Sequence, residues 1–114
     1  MFYGVLEMSI MNVIWSLQEQ NEDANISVSD IVEGLNNNDT QRAYTTIKTV
    51  MDRLVSKGVL VRYKDGKKFF YRSTMDKNET SKKVIETIAN EFFDGSHVQL
   101  VRFIERECEE LLVL

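Results

Sequence analysis

The apolar residues of this chain change period twice, and few folds accommodate that. Leu6, Ile10, Val13, Ile14 and Leu17 recur every three or four positions, so they share one face of a helix over about residues 4–19. A polar break at residues 21–25 ends it. A shorter stripe, Val28, Ile31, Val32 and Leu35, opens behind Ser27, with Asp30 three positions on. That spacing predicts a capping box, in which hydroxyl and carboxylate satisfy backbone N–H groups at the helix start. The run Asn36-Asn37-Asn38-Asp39-Thr40 competes for backbone hydrogen bonds and ends the second helix. Ile47, Val50, Met51, Leu54 and Val55 form the stripe of a third helix over about residues 44–57, with Gly58 where a left-handed cap is wanted. The period then falls to two. Residues 59–64 and 67–73 are rich in β-branched and aromatic side chains and flank Asp65-Gly66, which reads as a two-residue hairpin loop. Helical spacing returns with Val84, Ile85, Ile88, Ala89, Phe92 and Phe93, behind Asp76 and Glu79 and ahead of Asp94-Gly95. A last stripe behind Ser96 and Gln99 contains Leu100, Val101, Ile104, Cys108, Leu111 and Leu112.

Three helices followed by a hairpin is the order of a winged helix-turn-helix. The expected fold is therefore mainly α with a small β wing. Residues 1–74 are the expected winged-helix domain, and residues 75–114 an expected helical dimerisation region. The two last helices have more apolar surface than a helical tail can hide by itself. Ile85, Ile88, Phe92, Leu100, Val101, Ile104 and Leu111 are the expected dimer contacts, and a symmetric copy of the chain is the expected partner. The alternative is that these helices fold back onto their own chain.

Charge is segregated as sharply as periodicity. Residues 1–41 have seven acidic side chains and no Lys or Arg; residues 42–72 have nine Lys/Arg against two Asp; residues 73–114 have five against nine. The net charge of −4 hides this. A basic block of +7 on the third helix and hairpin marks a polyanion-binding face, the alternative being a solvated surface that happens to be basic. On the third helix Thr45, Thr46, Lys48, Thr49, Asp52 and Arg53 fall off the apolar stripe. The first four lie near its amino end, the part of a recognition helix that enters the major groove. Threonine can donate or accept at base edges, and Lys48 can reach guanine acceptors or phosphate. Arg42 and Tyr44, just ahead of the helix, suit phosphate, and three lysines at the hairpin tip, Lys64, Lys67 and Lys68, are more than covering the core requires. Read blandly, the Thr pair is only a good first turn, and the hairpin only a cover for the core.

Other chemistry finds little support. His97 and Cys108 are the only residues of their kind, eleven positions apart, and no acid is set up to orient either. They do not make a nucleophile–base pair or a metal site, and no glycine-rich phosphate loop is present. No enzymatic activity, metal or cofactor is expected. No apolar run approaches the roughly 18 residues a bilayer crossing needs, and the start lacks the pattern of a signal peptide. A single cysteine rules out an intrachain disulfide framework. Cytoplasmic localisation without membrane insertion is the expectation.

The stretch from Arg42 to Leu60, with Tyr44-Thr45-Thr46-Ile47-Lys48-Thr49 at its centre, resembles the recognition-helix signature of the penicillinase and methicillin-resistance repressor family. The wing from Arg62 to Tyr71 resembles it too, as do Val13-Ile14-Trp15, Val28-Ser29-Asp30-Ile31-Val32 and Phe93-Asp94-Gly95-Ser96. The resemblance runs in order along nearly the whole chain. It implies a homodimeric, sequence-specific transcriptional repressor on a palindromic double-stranded operator, of a β-lactam-resistance-like operon. It also implies a membrane sensor metalloprotease as partner, which cleaves the repressor in its dimerisation region. Two features depart from the family pattern. The family's cleavage site is an Asn-Phe bond, whereas Asn90 here precedes Glu91. The paired Cys-x-Cys motifs of a copper-responsive branch have no counterpart beyond Cys108. The inducer stays open. A competing reading is a winged-helix protein-interaction module without DNA binding, which predicts an acidic or apolar outer face on the third helix.

Overall fold

The computed structural model describes residues 3–36 and 42–112. Helix α1, Val5–Gln20, is followed by α2, Val28–Leu35, and α3, Tyr44–Ser56. A two-stranded antiparallel sheet of β1, Leu60–Asp65, and β2, Lys68–Ser73, comes next, and then α4, Lys77–Phe92, and α5, His97–Glu107. Three helices and a wing are the expected winged-helix order. Asn37–Thr40, expected to break the second helix, lie outside the described residues; Asn36 is the C-cap of α2.

The predicted caps at Ser27 and Ser96 form by the expected chemistry. The Ser27 N–H donates to Asp30 Oδ2 at 2.9 Å, and the Ser27 hydroxyl accepts from the Asp30 N–H at 3.2 Å. The Ser96 hydroxyl accepts from the Gln99 N–H at 3.1 Å at the start of α5. Gly58 has φ +77°, which ends α3 in the left-handed region and turns the chain into the hairpin. Asp94 has φ +51° and Gly95 φ +83°, and the Gly95 N–H reaches back six residues to the Ala89 carbonyl at 2.9 Å, which closes α4.

Two expectations shift. Asp65 pairs with Lys68, so the hairpin loop is Gly66-Lys67 and not Asp65-Gly66. Gly66 has φ +66° and Lys67 has no positive φ, the pattern of a turn with glycine at its first central position. A glycine placed first satisfies that turn, so Asp65 is free to extend β1. The last helix also ends earlier than its apolar stripe. Cys108 is its C-cap, and Leu111 lies in a separate 3-10 turn, Glu109–Leu111.

The chain divides into two compact units, one of them Tyr3–Lys77 and the other containing the described residues from Asn78 onward. In the first, Ile10 and Ile14 of α1, Ile31 of α2, Ile47 and Leu54 of α3, and Leu60 and Tyr71 of the sheet close one core. Each such aliphatic side chain contributes about 1.5–3 kcal/mol on burial. Ile26 bridges to Tyr71, and the Tyr71 N–H donates to its carbonyl at 2.8 Å, so the loop before α2 adds a third edge to the wing. The Trp15 indole N–H is satisfied by the Met75 carbonyl at 3.1 Å. Glu7, nearly buried, accepts from the Gly4 N–H at 2.9 Å and from Lys57 Nζ at 2.8 Å, which fastens the start of α1 to the end of α3. In the second unit the Phe93 and Phe103 rings meet at 5.4 Å, and α5 has no buried residue. No helix of the described residues is long and apolar enough to cross a membrane.

Candidate nucleic-acid interface

Helix α3 turns Ile47, Val50, Met51 and Leu54 into the core, which leaves Thr45, Thr46, Lys48, Thr49 and Arg53 exposed. Thr45, Thr46, Thr49, Val50 and Arg53 line one shallow groove along the helix. The Thr49 hydroxyl donates to the Thr45 carbonyl at 2.8 Å, so it presents lone pairs and a methyl group outward. Such a threonine can accept from a base or touch a thymine methyl.

The amino end of α3 differs from the other two in its unit. Its N-cap, Ala43, makes no side-chain hydrogen bond, and its first turn has no acidic residue. Helices α1 and α2 carry Glu7 and Asp30 there. The N-cap side chain therefore offers the first N–H groups of α3 no acceptor, and the helix dipole favours an anion there. Tyr44, expected just ahead of the helix, is its first residue, and Arg42 and Tyr44 are both exposed. Arg42 is held by its backbone: its N–H donates to Asn36 Oδ1 at 2.8 Å, and Asn36 Nδ2 donates to its carbonyl at 3.2 Å. This reciprocal amide clamp between the end of α2 and the approach to α3 was not visible in the sequence, because nothing marks one asparagine of a run as a clamp.

The wing spreads its lysines. Lys64 lies opposite Phe69 and Arg62 opposite Tyr71, so these four share the face that leads into the core; Lys68, opposite Asp65, points to the other face, and Lys67 is in the loop. Arg62 lies over the Phe69 ring at 4.8 Å and Lys64 at 5.6 Å, so one exposed aromatic supports two cations. Arg62 and Phe69 were absent from the site expected from sequence, although their alternation along the two strands could have found them.

Asp52 was noted there only as an off-stripe residue. Its Oδ2 accepts from Lys48 Nζ at 2.7 Å, and its Oδ1 accepts from the Tyr71 hydroxyl at 2.8 Å and from Arg62 at 3.3 Å. Partial burial opposes its ionisation, but these donors outweigh burial and hold the carboxyl below the usual aspartate range. Burial, together with donation to Asp52, pushes the Tyr71 phenol up to about 12.

The residues expected to make the dimer lie in the other unit. Phe92, Val101 and Leu111 are 71%, 51% and 70% exposed, and Ile85 is exposed as well, whereas Ile88, Leu100 and Ile104 are half-buried. Among the described residues no cluster of three or more His, Cys, Asp or Glu could hold a metal ion.

Comparison with known proteins matches residues 3–111 to the family model described as penicillinase repressor. The penicillinase repressor of Bacillus licheniformis is 26% identical over 102 residues, covering 89% of this chain and 74% of the relative. The methicillin resistance regulatory protein MecI of Mammaliicoccus sciuri is 31% identical over 104 residues, covering 89% and 77%. Among solved structures, the solution structure of the Bacillus licheniformis BlaI monomeric form in complex with the blaP half-operator matches with TM-score 0.52 and 25% identity. It covers 69% of this chain and 88% of that one.

Proposed function

The chain belongs to the penicillinase repressor family, and we propose that it acts as a homodimeric DNA-binding transcriptional repressor on a palindromic operator. The observation that carries this reading is the outer face of α3. It presents Thr45, Thr46, Lys48, Thr49 and Arg53 beside an amino end whose N-cap is Ala43 and whose first turn has no acid, next to a wing with Arg62, Lys64, Lys67 and Lys68. A protein-interaction module would call for an acidic or apolar face there. The neighbouring BlaI structure is itself a complex with a half-operator.

In this reading α3 enters the major groove. Thr45, Thr46, Lys48 and Thr49 meet base edges, while Arg42, Tyr44, Arg53 and the wing lysines hold phosphates on either side. Residues 1–74 bind DNA and residues 75–114 join two copies through Ile85, Ile88, Phe92, Leu100, Val101, Ile104 and Leu111. A twofold pair reads a palindrome, and the second half-site contact becomes effectively intramolecular. A membrane sensor metalloprotease is a further proposed partner. Its cut would fall elsewhere than at an Asn-Phe bond, which this sequence does not contain.

Gel shifts with the protein's own promoter test the proposal. Binding should weaken steeply with salt, because each neutralised phosphate releases counterions. Thr46→Ala should lower the ratio of promoter to random-duplex affinity by the equivalent of about 1–3 kcal/mol. Lys67→Ala should weaken both duplexes alike and flatten the salt dependence. No binding to the promoter even at low salt would overturn the reading.

A further inference from the structure

Asp52 is the only acidic residue on α3, and it stands one turn beyond Lys48 on the face proposed to meet DNA. A carboxylate there repels phosphate, so its presence calls for a reason. The core asks only for an acceptor for the buried Tyr71 hydroxyl, which a neutral side chain would also supply, and Asp52 itself is one-third exposed. What it does is gather two cations: Lys48 from its own helix at 2.7 Å and Arg62 from the wing at 3.3 Å, with the Tyr71 hydroxyl fixing it from β2 at 2.8 Å.

We propose that Asp52 is a specificity-determining residue, an internal anion that competes with DNA phosphate for Lys48 and Arg62 and so holds down affinity for random duplex. The inference rests on the DNA-binding reading above. Random-duplex binding comes almost wholly from the release of counterions by lysine and arginine. A cation already paired with a carboxylate contributes little to it. On the operator the same pairing has a second effect: it fixes the Lys48 side chain along α3 and ties the wing to the helix at a set distance, which base contacts require. Removing the charge therefore gives random duplex the full gain of two freed cations. On the operator that gain is offset by the lost geometry. Specificity here comes from a group that disfavours the wrong partner.

The test is a salt titration of full-length wild type, Asp52→Asn and Asp52→Glu on promoter and random duplexes, each variant first checked for native circular dichroism. Freeing two cations adds about two phosphate contacts per protomer. Asp52→Asn should then lose about tenfold more random-duplex affinity per engaged protomer than wild type between roughly 50 and 200 mM salt. Its promoter-to-random ratio should fall, while Asp52→Glu, which keeps the charge, should restore both quantities toward wild type. If Asp52→Asn does not fold, Asp52→Ser removes the same charge and gives the same readout. Where the wild type binds DNA, a salt slope unchanged in Asp52→Asn would overturn this inference alone, and so would a steeper slope with an unchanged ratio. A wild-type protein that binds no duplex would overturn both this inference and the functional reading.

Discussion

Among the described residues, fourteen buried side chains close the core of the Tyr3–Lys77 unit, whereas α5 of the other unit buries none of its residues. Both regions are amphipathic in sequence, yet only one has a surface of its own to cover its stripe. In the first, the three helix faces converge with Leu60 and Tyr71 of the sheet. In the second, Phe93 and Phe103 join α4 to α5, but Ile85, Phe92, Val98 and Val101 stay open to water. The contrast teaches that one region covers its own apolar stripes and presents a polar, basic face, while the other leaves apolar side chains exposed; under the proposed function a second copy of the chain covers them.

The largest effect that would sharpen or break this contrast is expected from Val101→Asp. The side chain is half exposed and packs into no core, so the charge should not unfold the chain. Placed in a dimer interface it is unpaired, and the dimer should dissociate. Losing the linked second half-site should weaken promoter binding by about 10²–10⁴-fold. Sedimentation velocity together with gel shifts measures both, and a Val101→Asp protein that remains dimeric would place the interface elsewhere. Next comes Leu54→Ala, in the closed core. It should reduce unfolding free energy by about 2–5 kcal/mol, read by denaturant titration, and leave the association state unchanged. A loss well below that would mean the core is not closed as described.

The smallest effect concerns Glu7. The Lys57 ammonium and the Gly4 N–H hold its carboxyl below the ordinary value of 4.5, against the opposing effect of burial. A lowered folded-state pKa means that its contribution is complete above the unfolded value and is lost as pH falls through the folded one. Glu7→Gln should therefore cost about 1–2 kcal/mol at neutral pH, the low end for a charged hydrogen bond because Lys57 is partly solvated. It should also flatten the fall in stability below pH 4.5. An acid limb identical to wild type would remove Glu7 from the account.

The helices, their capping residues and the basic face could be read from sequence because each depends on local spacing. Ser27 and Asp30 meet within one turn, and the stripe on α3 fixes by exclusion which residues point outward. The features that sequence did not reveal are those set by tertiary register. Whether the loop was Asp65-Gly66 or Gly66-Lys67 depended on which turn the strand twist selected, and both contain the one glycine. The end of α5 was placed too late because Leu111 and Leu112 continue the apolar spacing past Cys108, where the helical hydrogen bonds stop. Asp52 read as an ordinary off-stripe residue, since its partners Arg62 and Tyr71 are ten and nineteen positions away. Lys48, at four, was the one partner within sight of local reasoning.

The central claim is that α3 and the wing are the DNA-facing surface. The most direct test tracks backbone amide NMR shifts while the protein is titrated with a duplex from its own promoter. The account predicts that the large shifts fall on residues 42–53 and 62–69, with the core-facing residues of α1 little moved. Shifts absent from α3 and the wing, or confined to α4 and α5, would contradict it.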